Sequence, residues 1–69
     1  MEHTSLASSS IRSAGYDPQT MTMEVAFVNE SIYQYFEVPE RIFQGLLTAP
    51  SAGIYLNTVV KGAYRYTRL

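Results

Sequence analysis

Cysteine is absent from this 69-residue chain, which excludes disulfide bonds and thiolate metal sites. Histidine occurs once, as His3, so neither a nucleophile–histidine pair nor a cluster of imidazole ligands is expected. No apolar run approaches the roughly 20 residues of a membrane span. The first residues also lack the basic region and apolar stretch of a signal peptide. We therefore expect a cytoplasmic protein that is not an enzyme and that uses no metal, cofactor or membrane.

The short chain leaves room for one domain at most. A domain of this length buries only about 60% of its unfolded surface, so its stability needs tight aromatic packing or self-association. Six tyrosines and three phenylalanines supply the aromatic rings. Residues 1–8 are small and polar and predict a flexible N-terminal tail, which leaves residues 9–69 as a single domain.

Acidic residues are missing from residues 41–69, which carry Arg41, Lys61, Arg65 and Arg68. Residues 1–40 hold all six acids against a single arginine, so the formal charge of −1 divides into −5 and +4. Arginines and tyrosines alternate near the C-terminus. This pairing suits an anionic, planar ligand, because guanidinium groups neutralise phosphate while rings stack on bases. The division of charge equally favours head-to-tail contacts between copies of the chain or binding to another protein.

Three segments with strand character open the domain, at residues 11–16, 21–28 and 31–38. Residues 17–20 suit a tight turn that Asp17 caps, and residues 29–30 suit a hairpin turn. A two-residue turn at 29–30 predicts this core face: Met21, Met23, Val25, Phe27, Ile32 and Phe36. Tyr33 and Tyr35 then lie on the less buried face. A three-residue turn is the alternative, and it moves Phe36 to the outer face.

Two helices are predicted to follow the strands. Pro39 suits the first turn of the first helix, and this helix has one apolar stripe: Ile42, Phe43, Leu46 and Leu47. Gly45 inside the helix costs about 1 kcal/mol relative to alanine, which indicates that a neighbour approaches closely. Ser51 is a good N-cap for the second helix, and Gly62 fits just past its end. Residues 63–69 are either a fourth strand or an extended tail.

The predicted fold class is therefore α+β. A three-stranded antiparallel meander precedes two short helices packed on one face, and a short extended segment ends the chain. The candidate ligand-binding residues are Tyr33, Tyr35, Ser51, Gly53, Asn57, Lys61, Arg65 and Arg68. The two strand tyrosines either cover the sheet or stack on bases. Residues 49–53 either cap the second helix or hold an anion at its free N–H groups. Asn57 either caps or bridges to a turn through its amide or contacts a ligand. The three basic residues are either solvated surface or a basic patch that contacts a ligand.

Residues 9–69 also resemble the KTSC domain, which is named after a C-terminal segment of some lysyl-tRNA synthetases and also occurs as small stand-alone bacterial and phage-type proteins. The matching stretches are Ser10-Ile11, Gly15-Tyr16-Asp17, Met23-Glu24-Val25, Phe27, residues 33–39, Leu46-Leu47, Ala49, Ser51, Gly53, Tyr55, Asn57, Tyr64, Tyr66 and Arg68-Leu69. The chain departs from the family pattern at Asn29-Glu30, where Asn-Gly is common. It also has fewer basic residues between Gly53 and Gly62.

The resemblance implies RNA binding only through the association with the synthetases. Two functional interpretations follow from the sequence. The first is a small non-enzymatic module that binds RNA or a nucleotide-like anion. The second is a module for protein–protein contact or self-association, which the unpaired edge of a short sheet also favours.

Overall fold

The computed structural model describes all 69 residues and contains one antiparallel sheet covered by helices on one face. The five strands lie in chain order across the sheet, and the helices lie between the fourth and fifth strands in sequence. The elements are β1 His3–Ser5, β2 Ile11–Asp17, β3 Thr22–Phe27, β4 Ile32–Tyr35, α1 Glu40–Thr48, α2 Ala52–Tyr55, a π-helical segment Leu56–Val60, and β5 Tyr66–Arg68. The helical segments bury one side against the sheet, as predicted. None of the helices combines the length and the apolar character that crossing a bilayer requires.

The prediction of a three-stranded sheet is wrong, because both ends of the chain add a strand. His3–Ser5 pairs with β2, although residues 1–8 were predicted to form a tail. Tyr66–Arg68 pairs with β4, which settles that residues 63–69 contain a strand. Each added strand has only three residues, and neither has an apolar alternation long enough to be distinguished from an extended segment.

The predicted register of the β3–β4 hairpin is also wrong by one residue. Glu30 adopts φ 72, its N–H donates to the Phe27 carbonyl at 2.9 Å, and the loop therefore has three residues, 28–30. This is the type I turn followed by a left-handed residue that three-residue hairpins favour. Val25 consequently lies opposite Tyr33, and Met23 lies opposite Tyr35.

A register slip of one residue exchanges the two faces of a strand. Tyr33 and Tyr35 therefore point to the helix-covered face, and Tyr35 is only 2% exposed. Ile32 and Phe36, which were predicted to lie in the core, take the opposite face. Met21 is not a core residue either, since it lies in the β2–β3 turn with φ 56 and is 40% exposed.

The core lies between this sheet face and the helices. Its buried members are Ile11, Ala14, Met23, Val25, Tyr35, Val38, Phe43, Leu46, Ala52, Leu56 and Val60. Tyr16 ties the sheet to the start of α1, because its ring stacks on Phe43 and its hydroxyl donates to the Val38 carbonyl at 2.5 Å. Burial is the main reason that the pKa of Tyr16 lies above its ordinary value, and the nearby carboxylates of Glu40 and Asp17 add to it.

Several local predictions are confirmed. Asp17 accepts a hydrogen bond from the Gln19 N–H at 2.9 Å and so caps the β2–β3 turn. Ser51 Oγ accepts from the Ile54 N–H at 3.3 Å, as an N-cap does. Gly62 follows the helical segment with φ 84. These signals depend on neighbours in the chain, so the sequence alone was sufficient to read them.

Candidate functional site

An aromatic cleft opens on the helix-covered face, between the β4–β5 edge and the end of the π-helical segment. Its volume is about 510 Å³, and its lining residues are Phe27, Asn29, Ser31, Tyr33, Tyr35, Lys61, Gly62, Tyr66 and Arg68. We call it the aromatic cleft. Two of these residues are cations, and none is an aspartate or a glutamate. The lining is therefore positive and aromatic at once.

The antiparallel pairing of β4 with β5 assembles the ring cluster of the cleft. Tyr33 lies opposite Arg68, and Tyr35 lies opposite Tyr66. The Tyr66 ring centre lies 5.6 Å from that of Tyr33 and 5.9 Å from that of Tyr35, in tilted arrangements. Such distances are typical of favourable aromatic pairs. The rings differ in access: Tyr35 is buried, whereas Tyr66 is 61% exposed.

Arg68 is held in place by two contacts. Its Nη2 donates to Ser31 Oγ at 3.0 Å, and its guanidinium carbon lies 5.9 Å from the centre of the Tyr33 ring. A planar guanidinium over an aromatic face is a stabilising cation–π contact. Since Arg68 is exposed, it is oriented without being withdrawn from a ligand.

Lys61 reaches the cleft from the helical side. The π-helical segment ends there, because the Lys61 N–H donates to the Leu56 carbonyl five residues earlier at 2.9 Å. The wider turn adds a residue per turn and changes the direction in which the next residue projects. Gly62, with positive φ, then lets the chain leave the helix toward β5.

Tyr35 forms the inner wall of the cleft. Its pKa is raised mainly by burial and further by the neighbouring hydroxyls of Tyr33 and Tyr66. No hydrogen bond is among the causes of that shift. Every side-chain nitrogen or oxygen that is fully shielded from solvent has a hydrogen-bond partner. The Tyr35 hydroxyl is therefore not fully shielded from solvent, and the residue lines the cleft.

The structure brings together four of the eight predicted site residues: Tyr33, Tyr35, Lys61 and Arg68. Arg65 does not join them. It lines a second, shallower cleft together with Phe36, Gly62, Ala63, Tyr64 and Tyr66. Arg65 and Arg68 thus lie on opposite sides of the C-terminal segment, as the alternation of an extended chain predicted.

The other three predicted residues lie outside both clefts. Ser51 acts as the cap described above. Gly53 packs against the chain before β2, since a Cβ there would lie 2.7 Å from Ser10 Oγ. Asn57 is exposed on the π-helical segment. A ligand contact at these three positions stays a prediction, and no contact in the structure connects them to the aromatic cleft.

Four polar or aromatic lining residues were not predicted from the sequence as site residues: Phe27, Asn29, Ser31 and Tyr66. Tyr66 belongs to the alternating tyrosine–arginine pattern, and that pattern was the available signal. Asn29 lies in the β3–β4 loop and Ser31 directly follows it. Their sequence pattern predicted only a turn residue and the first residue of a strand. Asn29 Oδ1 accepts a hydrogen bond from the Ser31 N–H at 3.0 Å, so both residues also stabilise the loop. The pairing of β5 beside this turn could not be read from local pattern.

A separate polar network covers the outer face of the sheet and includes His3, which was predicted to lie in a tail. His3 Nδ1 lies 2.7 Å from Ser13 Oγ, and its Nε2 lies 2.5 Å from Glu24 Oε2. The Gln34 amide donates to the other carboxylate oxygen at 2.9 Å. This hydrogen bond is the main reason that the pKa of Glu24 lies below its ordinary value. The hydrogen bond and charge of His3 lower it further, against the opposing effect of burial.

The network crosses four neighbouring strands, and none of its members lines either cleft. Gly15 makes room for it, because a Cβ there would lie 2.8 Å from Cδ2 of His3. The imidazole therefore lies over the β2 backbone and fastens β1 to the sheet. No group of three or more His, Asp or Glu side chains is placed to hold a metal ion.

The fold and the cleft define a small α+β domain with a five-stranded antiparallel meander under two short helices. The family model of the KTSC domain matches residues 7–64, which is most of the chain. The chain therefore belongs to the KTSC domain family, as its sequence resemblance predicted.

Solved and curated relatives agree with this assignment. The crystal structure of a KTSC domain protein from Yersinia pestis is similar with a TM-score of 0.95 and 35% identity, covering 99% of this chain and 96% of that one. An uncharacterized protein of Stutzerimonas stutzeri is 44% identical over 70 residues, which cover 100% of this chain and 99% of the relative. The lysine–tRNA ligase of Nostoc sp. is 39% identical over 59 residues, 86% of this chain but only 10% of the ligase.

Proposed function

We propose that this protein is a non-enzymatic binding module whose ligand is RNA or a nucleotide-like anion. One observation carries the proposal: the aromatic cleft combines exposed ring surface with Lys61 and Arg68 and has no carboxylate in its lining. Ammonium and guanidinium groups attract phosphate, and tyrosine rings stack on nucleobases. Few other ligand classes use both properties at once.

The charge distribution supports the same ligand class. All four cations of residues 41–69 are exposed, and this half of the chain contains no acid. The carboxylate of Glu24 lies on the outer sheet face and is engaged by its neighbours there. A phosphate approaching the aromatic cleft therefore meets positive potential with no carboxylate in the lining to oppose it.

The ligase relatives add a second line of support. By their name these relatives act on tRNA, and the region similar to this chain is about a tenth of their length. A small domain attached to such an enzyme is well suited to hold part of an RNA. The ligase reaction itself is not proposed for this chain, because the similarity is confined to that small region.

The direct test is a titration followed by amide NMR shifts, with mixed single-stranded RNA oligonucleotides and with nucleotides, at low salt. We expect shifts concentrated at Ser31, Tyr33, Lys61, Tyr66 and Arg68. Affinity should fall steeply with salt, because cations on the protein release counterions from phosphate. An unchanged spectrum at high ligand concentration would overturn the proposal.

Self-association or protein binding is the competing function, and the exposed edge strand β5 favours it. All three residues of β5 are exposed, and Leu69 beside it is 66% exposed. An edge strand can pair with a strand of another chain. Light scattering over a range of concentrations distinguishes the two functions. A dimer that forms at low salt, together with no RNA-dependent shifts, would support association in place of nucleotide binding.

A further inference from the structure

We propose that the aromatic cleft receives one unpaired nucleotide, with the base on Tyr66 and the phosphate at Lys61 and Arg68. This inference rests on the proposed function and makes it specific. It identifies the ligand as a single nucleotide unit, either free or within a single strand, and it excludes duplex RNA as the preferred ligand.

The dimensions of the site favour a single unit. A volume of about 510 Å³ lies within the range of roughly 300–1,000 Å³ found for small-molecule sites. The whole domain measures 28 × 22 × 22 Å. Protein domains that read double-stranded RNA span about 16 base pairs and bind its outside surface, without needing an aromatic cleft. A cleft built around rings is useful only when the base is unpaired and free to stack.

The accessible rings determine where the base can lie. Tyr35 lines the cleft but is only 2% exposed, so its ring face is not available to stack on a ligand. Tyr33 already has the Arg68 guanidinium over its ring. Tyr66 has most of its surface exposed and leans toward both other rings. It is therefore the stacking surface for the base, and its ring centre lies 5.6 Å from that of Tyr33.

Every polar side chain of the cleft has a hydrogen-bond donor to offer a ligand, and the two cations have no acceptor. Asn29 Oδ1 is occupied by the Ser31 N–H, which leaves its NH₂ group to donate. Ser31 Oγ accepts from Arg68, so its own proton is free to donate. The Tyr35 hydroxyl has no protein partner, and Lys61 and Arg68 only donate. A ligand rich in acceptors, such as a nucleoside phosphate, satisfies this set better than any cationic or neutral amine.

The experiment compares four probes on the full chain at low salt by amide NMR: AMP, inorganic phosphate, a single-stranded RNA hexamer and a 12-base-pair RNA duplex. We expect AMP and the hexamer to shift the same amides around Tyr66 and Lys61. Inorganic phosphate should bind more weakly by about 5- to 150-fold, because it lacks the stacked base. The duplex should bind no more tightly than the hexamer.

Matched variants identify the contacts. Tyr66→Ala should weaken AMP binding by about 5- to 150-fold but leave phosphate binding unchanged. Arg68→Gln should weaken both by about 10- to 100-fold. Arg65→Gln is the control, since it removes the same charge from the same segment on the opposite side, and it should change neither. If Arg68→Gln disturbs folding, Lys61→Gln tests the phosphate contact instead, because Lys61 is exposed at the end of a helical segment.

Salt dependence gives an independent check with the hexamer. Two phosphate-binding cations predict a slope of log K against log salt of about −1.4, whereas engagement of all four basic residues 41–69 predicts about −2.8. A slope near the larger value would overturn the single-cleft site and indicate a broad basic surface.

The remaining outcomes separate this inference from the function on which it rests. Binding of the hexamer with shifts at Arg65, Ser51 or Asn57 and none at Tyr66 would overturn the cleft assignment while leaving RNA binding intact. Equal affinity for AMP and inorganic phosphate would overturn the proposal that the base stacks on Tyr66. Failure of all four probes would overturn the proposed function itself.

Discussion

Replacing Gly45 by alanine should destabilise the domain, although alanine is the better helix former by about 1 kcal/mol. Gly45 lies inside α1, where Tyr55 from α2 crosses it. A Cβ on residue 45 would lie 2.7 Å from Cζ of Tyr55 and closer still to the hydroxyl oxygen. The ring must move, and its hydrogen bond to the Ile42 carbonyl, 3.0 Å long, is then strained or lost.

The expected magnitude follows from three opposing contributions. Overpacking of a filled site costs about 1–3 kcal/mol, and a lost hydrogen bond costs about 0.5–1.5 kcal/mol. The gain in helix propensity offsets about 1 kcal/mol of this total. The net loss for Gly45→Ala is therefore about 1–3 kcal/mol. For a domain of this size each kcal/mol lowers the unfolding temperature by about 4–8 °C.

Thermal and urea unfolding, followed by circular dichroism, measure this loss. Gln44→Ala is the matched control, since Gln44 is the exposed neighbour on the same helix and should change stability by no more than about 0.5 kcal/mol. In a Tyr55→Ala background, Gly45→Ala should become neutral or stabilising, because the obstructing ring is gone. A higher unfolding midpoint for Gly45→Ala in the wild-type background would refute the reasoning.

Three further predictions concern the turn, the outer network and the C-terminal arginines. Glu30→Gly should raise the free energy of unfolding by about 0.5–1 kcal/mol, because φ 72 is strained for glutamate but not for glycine. Urea unfolding measures this change, and an unchanged midpoint would contradict it. The depressed pKa of Glu24 means that its stabilisation is complete above the unfolded-state pKa and is lost as pH falls through the folded-state pKa. Glu24→Gln should therefore flatten the acid side of the stability profile, and an unflattened profile would show that the carboxylate is unimportant. Arg65→Glu should lower the free energy of unfolding by no more than about 0.5 kcal/mol. Arg68→Glu should lower it by about 1 kcal/mol, because its hydrogen bond to Ser31 is lost. A larger loss for Arg65→Glu than for Arg68→Glu in thermal unfolding would contradict the proposed role of Arg68.

The fold was predictable where the signals are local. The apolar stripe of α1, the cap at Ser51 and the left-handed glycine at Gly62 each depend on residues within one helical turn. The need for glycine at position 45 was also readable as a close approach, although its partner, Tyr55, was not. In such cases backbone geometry and side-chain chemistry over a few residues determine the outcome.

The strands at the two ends of the sheet were not predictable in the same way. Strands of three residues bury little surface of their own, and they exist because a neighbouring strand offers hydrogen bonds. His3 illustrates the difference, since its neighbours in sequence are those of a polar tail. Its partners Ser13 and Glu24 are 10 and 21 residues away.

The candidate site was predicted in composition but not in arrangement. The alternation of tyrosine and arginine near the C-terminus indicated Arg68 and the strand pattern indicated Tyr33, and both residues line the cleft. The sequence offered no means of excluding Arg65 from the cleft, because that depends on which side of β5 faces β4 and the helices. Asn29 and Ser31 enter the cleft only because β5 pairs beside the β3–β4 loop.

The sequence by itself determined the local elements, the division of charge between the two halves and the absence of any disulfide. Tertiary structure decided which face of the sheet carries the tyrosines, through a single extra residue in the loop before Ile32. A strand has a side-chain period of two, so one residue of slip moves every side chain to the other face. A φ of 72 at Glu30 is unfavourable for the local sequence. The register that this loop produces buries Tyr35 in the core. The aromatic cleft is a consequence of that register.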